Sequence, residues 1–301
     1  MRRLTLLAAA CLAAWLLAAC AAPARLNAAE QAQLAALLPA DAILLGEQHD
    51  APEHHRLERA TVQWLAARGD LAALVLEMAE QGHGTTGLPR DASAAQVRDA
   101  LAWDGGGWPW ADYGPVVMAA VRAGVPVLGG NLPRARMRAA MQDSALDTRL
   151  PPAAWAEQRE RIREGHCGLL PESQITPMTR VQIARDMAMA DTVVRALQPG
   201  RTVLLVAGNG HVQRGLGVPL HLPPKIKAKV VSARSEKALP ATNNIAATAS
   251  GHDTDLVWPT APQPPRDYCA ELRRTGGGAP GAPGAPGTPD APPHPDTLPH
   301  Q

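Results

Sequence analysis

Two aliphatic runs in this chain stop at the same kind of step. Ala42-Ile-Leu-Leu45 gives way to Gly46-Glu-Gln-His49, and Thr202-Val-Leu-Leu-Val-Ala207 gives way to Gly208-Asn-Gly-His211. Short apolar runs bounded by Gly and polar residues read as buried strands, which places both histidines just beyond strand ends. In an open α/β sheet, ligands bind in the crevice outside the carboxyl ends of the strands. Two histidines about 160 residues apart in sequence can therefore meet at one site.

The segments between these runs alternate in period. Pro52 to Arg68 carries Leu57, Thr61, Trp64 and Leu65 at helical spacing, and Ala72-Ala-Leu-Val-Leu76 reads as a strand ending at Glu77. Helices are expected near Ser93 to Ala102 and Asp112 to Ala123, on either side of the turn-rich stretch Asp104 to Pro109. A third strand, Val125 to Leu128, ends in Gly129-Gly130-Asn131. A long helical block follows, Pro152 to Gly165 and Ser173 to Leu197, with an apolar stripe at Ile183, Met187, Ala190, Val194 and Leu197. Those methionines read as core. Further strands are expected at Ile226 to Val231 and near Leu256 to Trp258. Alternation of this kind implies an α/β fold, a mostly parallel central sheet flanked by helices, here with a helical insertion.

The polar residues at the strand ends are Glu47 and His49, Glu77, Asn131, and Asn209 and His211. Two His and two Glu are the ligand types of a catalytic Zn site or of a non-haem Fe or Mn site. A metal-free alternative pairs a carboxylate base with a neutral His. The pattern leaves both open. Asp50 and Glu53 read instead as a helix N-cap and its capping-box partner. His54 and His55 are neighbours on one helix and point in different directions, one of them toward solvent. His83 falls in a Gly-rich loop, and His166, beside Cys167, reads as local structure.

The two ends of the chain differ in character from its centre. Arg2 and Arg3 precede an apolar stretch, Leu4 to Leu16, closed by Leu17-Ala-Ala-Cys20. That is the layout of a secretory signal, too short for a span of ~20 residues. Its closing Cys resembles a bacterial lipoprotein signal, which implies residues 1–19 as the signal, Cys20 as the acylated residue, and residues 20–26 as a tether. More than one acyl chain gives stable anchoring. Ala21 after the Cys points to the outer membrane. Cys167 and Cys269 are then an even pair in an oxidising compartment, the setting of a disulfide; two unpaired buried thiols are the alternative. From Gly276 onward the chain is Gly-, Ala- and Pro-rich and is expected to be disordered, leaving residues 27–275 as one α/β domain. With 29 basic and 28 acidic residues and no basic run, nucleic acid is excluded as a partner.

Several short motifs, in order, resemble those of the ChaN-like haem-binding lipoproteins within the Tiki, TraB and EreA grouping. They are Leu44-Leu-Gly-Glu-Gln-His49, Val75-Leu-Glu-Met78, Trp108-Pro-Trp-Ala-Asp-Tyr113 with Pro115, His166-Cys-Gly-Leu-Leu-Pro171, Gln182-Ile-Ala-Arg-Asp-Met-Ala188 and Gly208-Asn-Gly-His211. The resemblance implies a membrane-anchored cell-envelope protein that binds haem and assists haem-iron uptake, alone or as a homodimer, with an outer-membrane haem receptor as partner. Haem iron takes an axial His, Tyr, Met or Cys. Tyr113, Tyr268, His49 and His211 are the candidates, although Tyr113 also reads as a hydrophobic helix start packed on the core. The same grouping includes metal-dependent proteases and esterases. On that alternative Glu47, His49, Glu77 and His211 hold a divalent metal (Zn, Mn or Fe) or activate water, and Arg185 stabilises an oxyanion. Whether the protein is an enzyme is left open between these two.

Overall fold

The computed structural model describes residues 24–105, 107–236, 253–264 and 266–274. The expected signal, Cys20 and the segment from Gly276 onward lie outside these residues. Six strands form one all-parallel sheet: β1 (Ala42–Glu47), β2 (Leu71–Glu80), β3 (Val127–Asn131), β4 (Thr202–Gly208), β5 (Ala228–Ser235) and β6 (Leu256–Thr260). Their order across the sheet is β3-β2-β4-β1-β5-β6. The two strands that end in the Gly-x-x-His steps are thus adjacent at the centre, although a long stretch of chain separates them in sequence.

Strand side chains alternate between faces, so a parallel sheet buried on both sides needs an apolar residue at every position. The central strands meet that demand. Ile43, Leu45, Leu74, Leu76, Leu204 and Val206 pack on one side. There they meet helices α2 (Pro52–Ala67) and α4 (Trp110–Ala123). Leu44, Val75, Val203 and Leu205 pack on the other, against Met189, Ala190 and Val193 of α7 (Glu172–Ala196). The stripe expected on this helix is half right. Ile183 and Ala190 are fully covered, Met187, Val194 and Leu197 only partly, because Met189 and Val193 supply the main sheet contact.

The amino-terminal half of α7 leaves the sheet and covers the helical insertion. Here α5 (Arg134–Gln142), a 3-10 turn (Ser144–Thr148) and α6 (Pro152–Gly165) build a separate small core with Leu132, Leu146, Leu150, Val181 and Ile183. Arg180 of α7 clamps it, donating from Nε and Nη2 to the two oxygens of Asp147 at 2.7 and 2.6 Å. Three short helices complete the chain: α1 (Ala28–Ala35), α3 (Ala94–Ala100) and α8 (Tyr268–Arg274). None of the helices is long and apolar enough to cross a membrane among the described residues. Leu26, just ahead of α1, is already in the core.

Two local expectations fail. Asp50 does not cap α2: the N-cap is Ala51, with no side-chain hydrogen bond, and Pro52 starts the helix. Proline at the first helical position presets φ and wastes no donor, so the cap is dispensable. Neither His54 nor His55 faces solvent. His54 is fully buried between the Gln48 amide, which donates to its Nδ1 at 2.9 Å, and Thr260 Oγ1, 3.1 Å from Nε2.

Candidate functional site

The parallel register of the three central strands assembles the site. Glu47, the last residue of β1, stands opposite Gly208, the last of β4, and β2 flanks β4 on its far side, bringing Glu77 level with them. The chain cannot place any larger residue at the two glycines. A Cβ on Gly208 would lie 2.7 Å from His49 Nε2, and one on Gly46 would lie 2.5 Å from both Asn209 Oδ1 and Val212 Cγ2. Glycine here serves close approach, so that two loops cross over the sheet edge in contact.

From these positions a continuous chain of polar side chains runs through the protein. The Tyr113 hydroxyl donates to Glu47 Oε1 at 2.8 Å, and His49 Nδ1 lies 2.8 Å from the same oxygen. His49 Nε2 faces Glu77 Oε2 at 3.8 Å. That oxygen accepts the Gly208 amide proton at 2.7 Å, and the other, Oε1, stands 3.2 Å from His211 Nε2, a charge contact more than an aligned hydrogen bond. His211 Nδ1 ends the chain 2.5 Å from Asp186 Oδ1. Glu47, Glu77, Asp186 and His211 are all buried, whereas the His49 side chain keeps 27% of its surface exposed. His49 is the point at which this network meets solvent. Its ring stands edge-on to Trp108 at 4.7 Å, and Trp108 in turn meets Tyr113 at 5.8 Å.

Opposite charges set the protonation states. Burial alone pushes Glu47 up, but His49 and His55 outweigh it and hold its carboxyl well below the usual range. The same contest, decided by His211 and then His49 and Arg185, keeps Glu77 ionised. Burial opposes the charge on His211, yet Glu77 and Asp186 raise it to about 10. Asp186, buried and near Glu77, is raised to about 6 even though it faces His211. Burial and the Glu47 charge drive Glu58 and Tyr113 up, so both stay protonated. A buried carboxylate next to a protonated His is the economical arrangement, because an isolated charge here would carry the full desolvation cost.

The sign of the His211 shift makes a prediction. A histidine raised above its ordinary 6.5 contributes stability that is complete below about pH 6.5 and fades as pH climbs toward 10. The unfolding free energy from urea titrations should fall across that window in the parent protein. In His211→Gln the alkaline limb should be flatter. Equal slopes in the two proteins would show that His211 is neutral in the fold.

Glu47, His49, Glu77 and His211 are thus brought together, with Arg185 alongside. Arg185 is buried, its Nε has no hydrogen-bond partner among the described residues, and burial lowers its basicity against the pull of Glu77 and Asp186. Tyr113 joins the same network. Asn131 and Asn209 do not. Asn131 Oδ1 accepts the Leu132 amide at 2.9 Å, and Asn209 braces the next strand through the Ala233 carbonyl and the Ser232 hydroxyl. Tyr268 does not join the network: half exposed, it donates its hydroxyl to Asp50, the residue after His49. Cys167 and Cys269 are joined, with Cα atoms 5.5 Å apart.

Sequence reasoning missed Asp186, Gln182, His55 and Glu58. Gln182 and Asp186 are four residues apart on α7 and both reach His211, the amide nitrogen of Gln182 coming to 3.2 Å from Nδ1. A polar pair at that spacing on an apolar helix face was the available signal. His55 and Glu58, one turn apart on α2, both approach Glu47.

No group of three or more His, Cys, Asp or Glu side chains is arranged to hold a metal ion among the described residues. The donor atoms face one another: Glu47 Oε1 is shared by His49 and Tyr113, and His211 Nδ1 is taken by Asp186. The arrangement is a buried set of paired charges that reaches solvent at His49.

The family model described as "Haem-binding uptake, Tiki superfamily, ChaN" matches residues 33–222. Among solved structures, one described as cofacial heme binding to ChaN of Campylobacter jejuni is 26% identical, with a TM-score of 0.55, over 68% of this chain and 85% of that one. A Bacillus cereus protein matches at 14% identity and TM-score 0.37, over 71% of each chain. The type III effector HopBA1 matches at 14% and 0.35, over 74% of this chain and 88% of its own. No curated protein matches the sequence.

Proposed function

The chain belongs to the haem-binding uptake family of the Tiki superfamily, ChaN, and from that membership we propose that it binds haem and assists haem-iron uptake. The observation that carries this reading is the match over residues 33–222, supported by the similarity to the Campylobacter jejuni protein, which is described as binding haem. Of the four large hydrophobic side chains left exposed among the described residues, Leu169 and Tyr268 belong to the two segments joined by the disulfide. Bound haem would supply an iron centre with axial positions for protein side chains. The residues of this chain would cover one porphyrin face and limit its contact with water.

The candidate ligands differ in availability. The Tyr113 hydroxyl and both ring nitrogens of His211 are buried and engaged, and His49 presents only a ring edge. Tyr268 is the accessible member of the four, at 48% exposure. Acylation at Cys20 would keep the protein at the membrane that haem must cross, and labelled palmitate should enter the parent chain but not Cys20→Ala.

A hemin titration of the purified chain tests the main reading. A saturable Soret change with a sharp end point at a fixed hemin-to-chain ratio is expected. A shallow response without an end point would remove it. The second reading, hydrolysis of an ester or peptide, is favoured by one observation, the buried carboxylate and histidine chain that reaches solvent at His49. It would then gain weight, provided turnover of a chromogenic ester disappears in Glu47→Gln.

A further inference from the structure

The chain is fixed to the domain from Ala24 onward. Ala24 packs against the core, Leu26 is buried in it, and Gln31 Nε2 donates to the Leu26 carbonyl at 2.8 Å. Asn27 and Glu30 then cap α1 reciprocally: Asn27 Oδ1 accepts the Glu30 amide at 2.9 Å, and Glu30 Oε2 accepts the Asn27 amide at 2.7 Å. Arg56 of α2 adds a third hold, donating to the Arg25 carbonyl at 3.3 Å and to Glu30 Oε1 at 3.0 Å.

These contacts decide at which end of the domain the chain enters. α2 starts at Pro52, just past the carboxyl end of β1, and returns along the sheet, so Arg56 is only about 6 Å down its axis. His55, the residue before Arg56, lies 3.1 Å from the His49 carbonyl oxygen and 3.3 Å from Glu47 Oε2. The opposite end is marked by Asp41, whose Oδ2 accepts the Lys227 amide at 2.8 Å just before β1 and β5 begin. α1 and the residues after it therefore carry the chain from the His49 end to the far end.

Cys20 precedes Ala24 by four residues. Four residues span at most about 14 Å, and an acylated Cys starts beneath a headgroup layer about 5 to 7 Å thick, which leaves about 7 to 9 Å of free reach. That is less than the width of one helix, about 10 to 12 Å, and far less than a domain of this size, whose radius of gyration is about 18 Å. A domain held so closely cannot turn its far end to the bilayer. Near the entry point Arg56 is answered by Glu30 and Glu53, and Arg266 by Asp50 and Glu271, so contact with headgroups calls for no particular lipid charge.

We propose that the His49 end of the domain is a membrane-docking surface, held against phospholipid headgroups by acylated Cys20 through the fixed segment Ala24 to Leu26. The loop 48–51, the first turn of α2 and Tyr268, whose hydroxyl is bonded to Asp50, then lie next to the headgroup layer. A ligand arriving at His49 does so at the bilayer surface and not from open solvent. The assignment rests on the Cys20 acylation proposed above and is independent of what the site binds.

The test is energy transfer from the acylated full chain in phosphatidylcholine vesicles that carry a headgroup-labelled acceptor lipid. A donor dye is attached at the exposed His49 end through Glu53→Cys, or at the exposed far end through Lys227→Cys. Transfer from position 53 should exceed that from position 227 by at least about twofold, because about 20 Å of sheet height separates them. Inserting a Gly/Ser linker of about 20 residues between Ala22 and Pro23, with an average span of about 25 Å, should erase the difference. A difference that survives the linker overturns the role of the short tether. Equal transfer at the natural spacing, or a reversed order, overturns the orientation while leaving acylation intact. A parent chain that does not float with the vesicles overturns both. Should Glu53→Cys fail to fold, Asp267→Cys, beside Tyr268, reports on the same end.

Discussion

Glu77→Ala should lower the unfolding free energy by about 3 to 5 kcal/mol, the usual cost of removing one partner from a buried ion pair. Glu77 is wholly buried and answers several groups at once: the Gly208 amide at 2.7 Å, His211 at 3.2 Å and His49 at 3.8 Å. Truncation leaves the Gly208 N–H without an acceptor. It also leaves a positive His211 and the buried Arg185 facing Asp186, a group raised to about 6 and so only a partial counter-charge near that pH. Glu77→Gln isolates the charge, because its amide oxygen can still accept from Gly208, and it should lose less. For a domain of this size each kcal/mol moves the midpoint by roughly 2 to 4 °C, so Glu77→Ala should melt roughly 6 to 20 °C lower. A loss under about 1 kcal/mol, within the range of an ordinary surface change, would show that water replaces the carboxylate.

The Cys167→Ser, Cys269→Ser double variant carries the other large effect. The bond spans 102 residues of sequence, and closing a loop of that length removes about 4 to 5 kcal/mol worth of freedom from the unfolded chain. Leu272 is the one buried side chain of α8, and the Arg266 pairs with Asp50 and Glu271 are on the surface, where such pairs contribute at most about 1 kcal/mol. A urea midpoint shift with an unchanged slope is the expected signature. A shift below about 1 kcal/mol would mean that α8 comes away when the bond is absent, so that the native state gains nearly the freedom the unfolded state gains. That outcome would also separate Tyr268 from Asp50.

How far the sequence could be read depended on the range of the interactions involved. Strand positions were legible because a strand buried on both faces must be apolar throughout, as at Ala42 to Leu45 and Val203 to Ala207. Strand ends were legible for the same reason, since polar residues begin where burial stops. The helices of 14 residues and more were legible through their apolar spacing; α1, α5 and α8 were not, being too short or too polar to show a period. α2 began at Pro52 without the Asp50 cap because a proline start is satisfied by backbone geometry alone.

The sequence by itself determined the α/β class, the sheet-edge position of Glu47, His49, Glu77 and His211, and the even pair Cys167 and Cys269, because each follows from local burial patterns or residue chemistry. Only the tertiary structure decided that β1 and β4 are neighbours, that Asp186 answers His211, and that Tyr113 is spent on Glu47. It also decided that Cys269 is bonded to Cys167 in the turn after α6. These are pairings between residues tens to hundreds of positions apart. Strand order and helix docking set them through distances of a few ångströms that no local pattern encodes, and charge pairing in a buried, low-dielectric edge then sets which groups keep their protons.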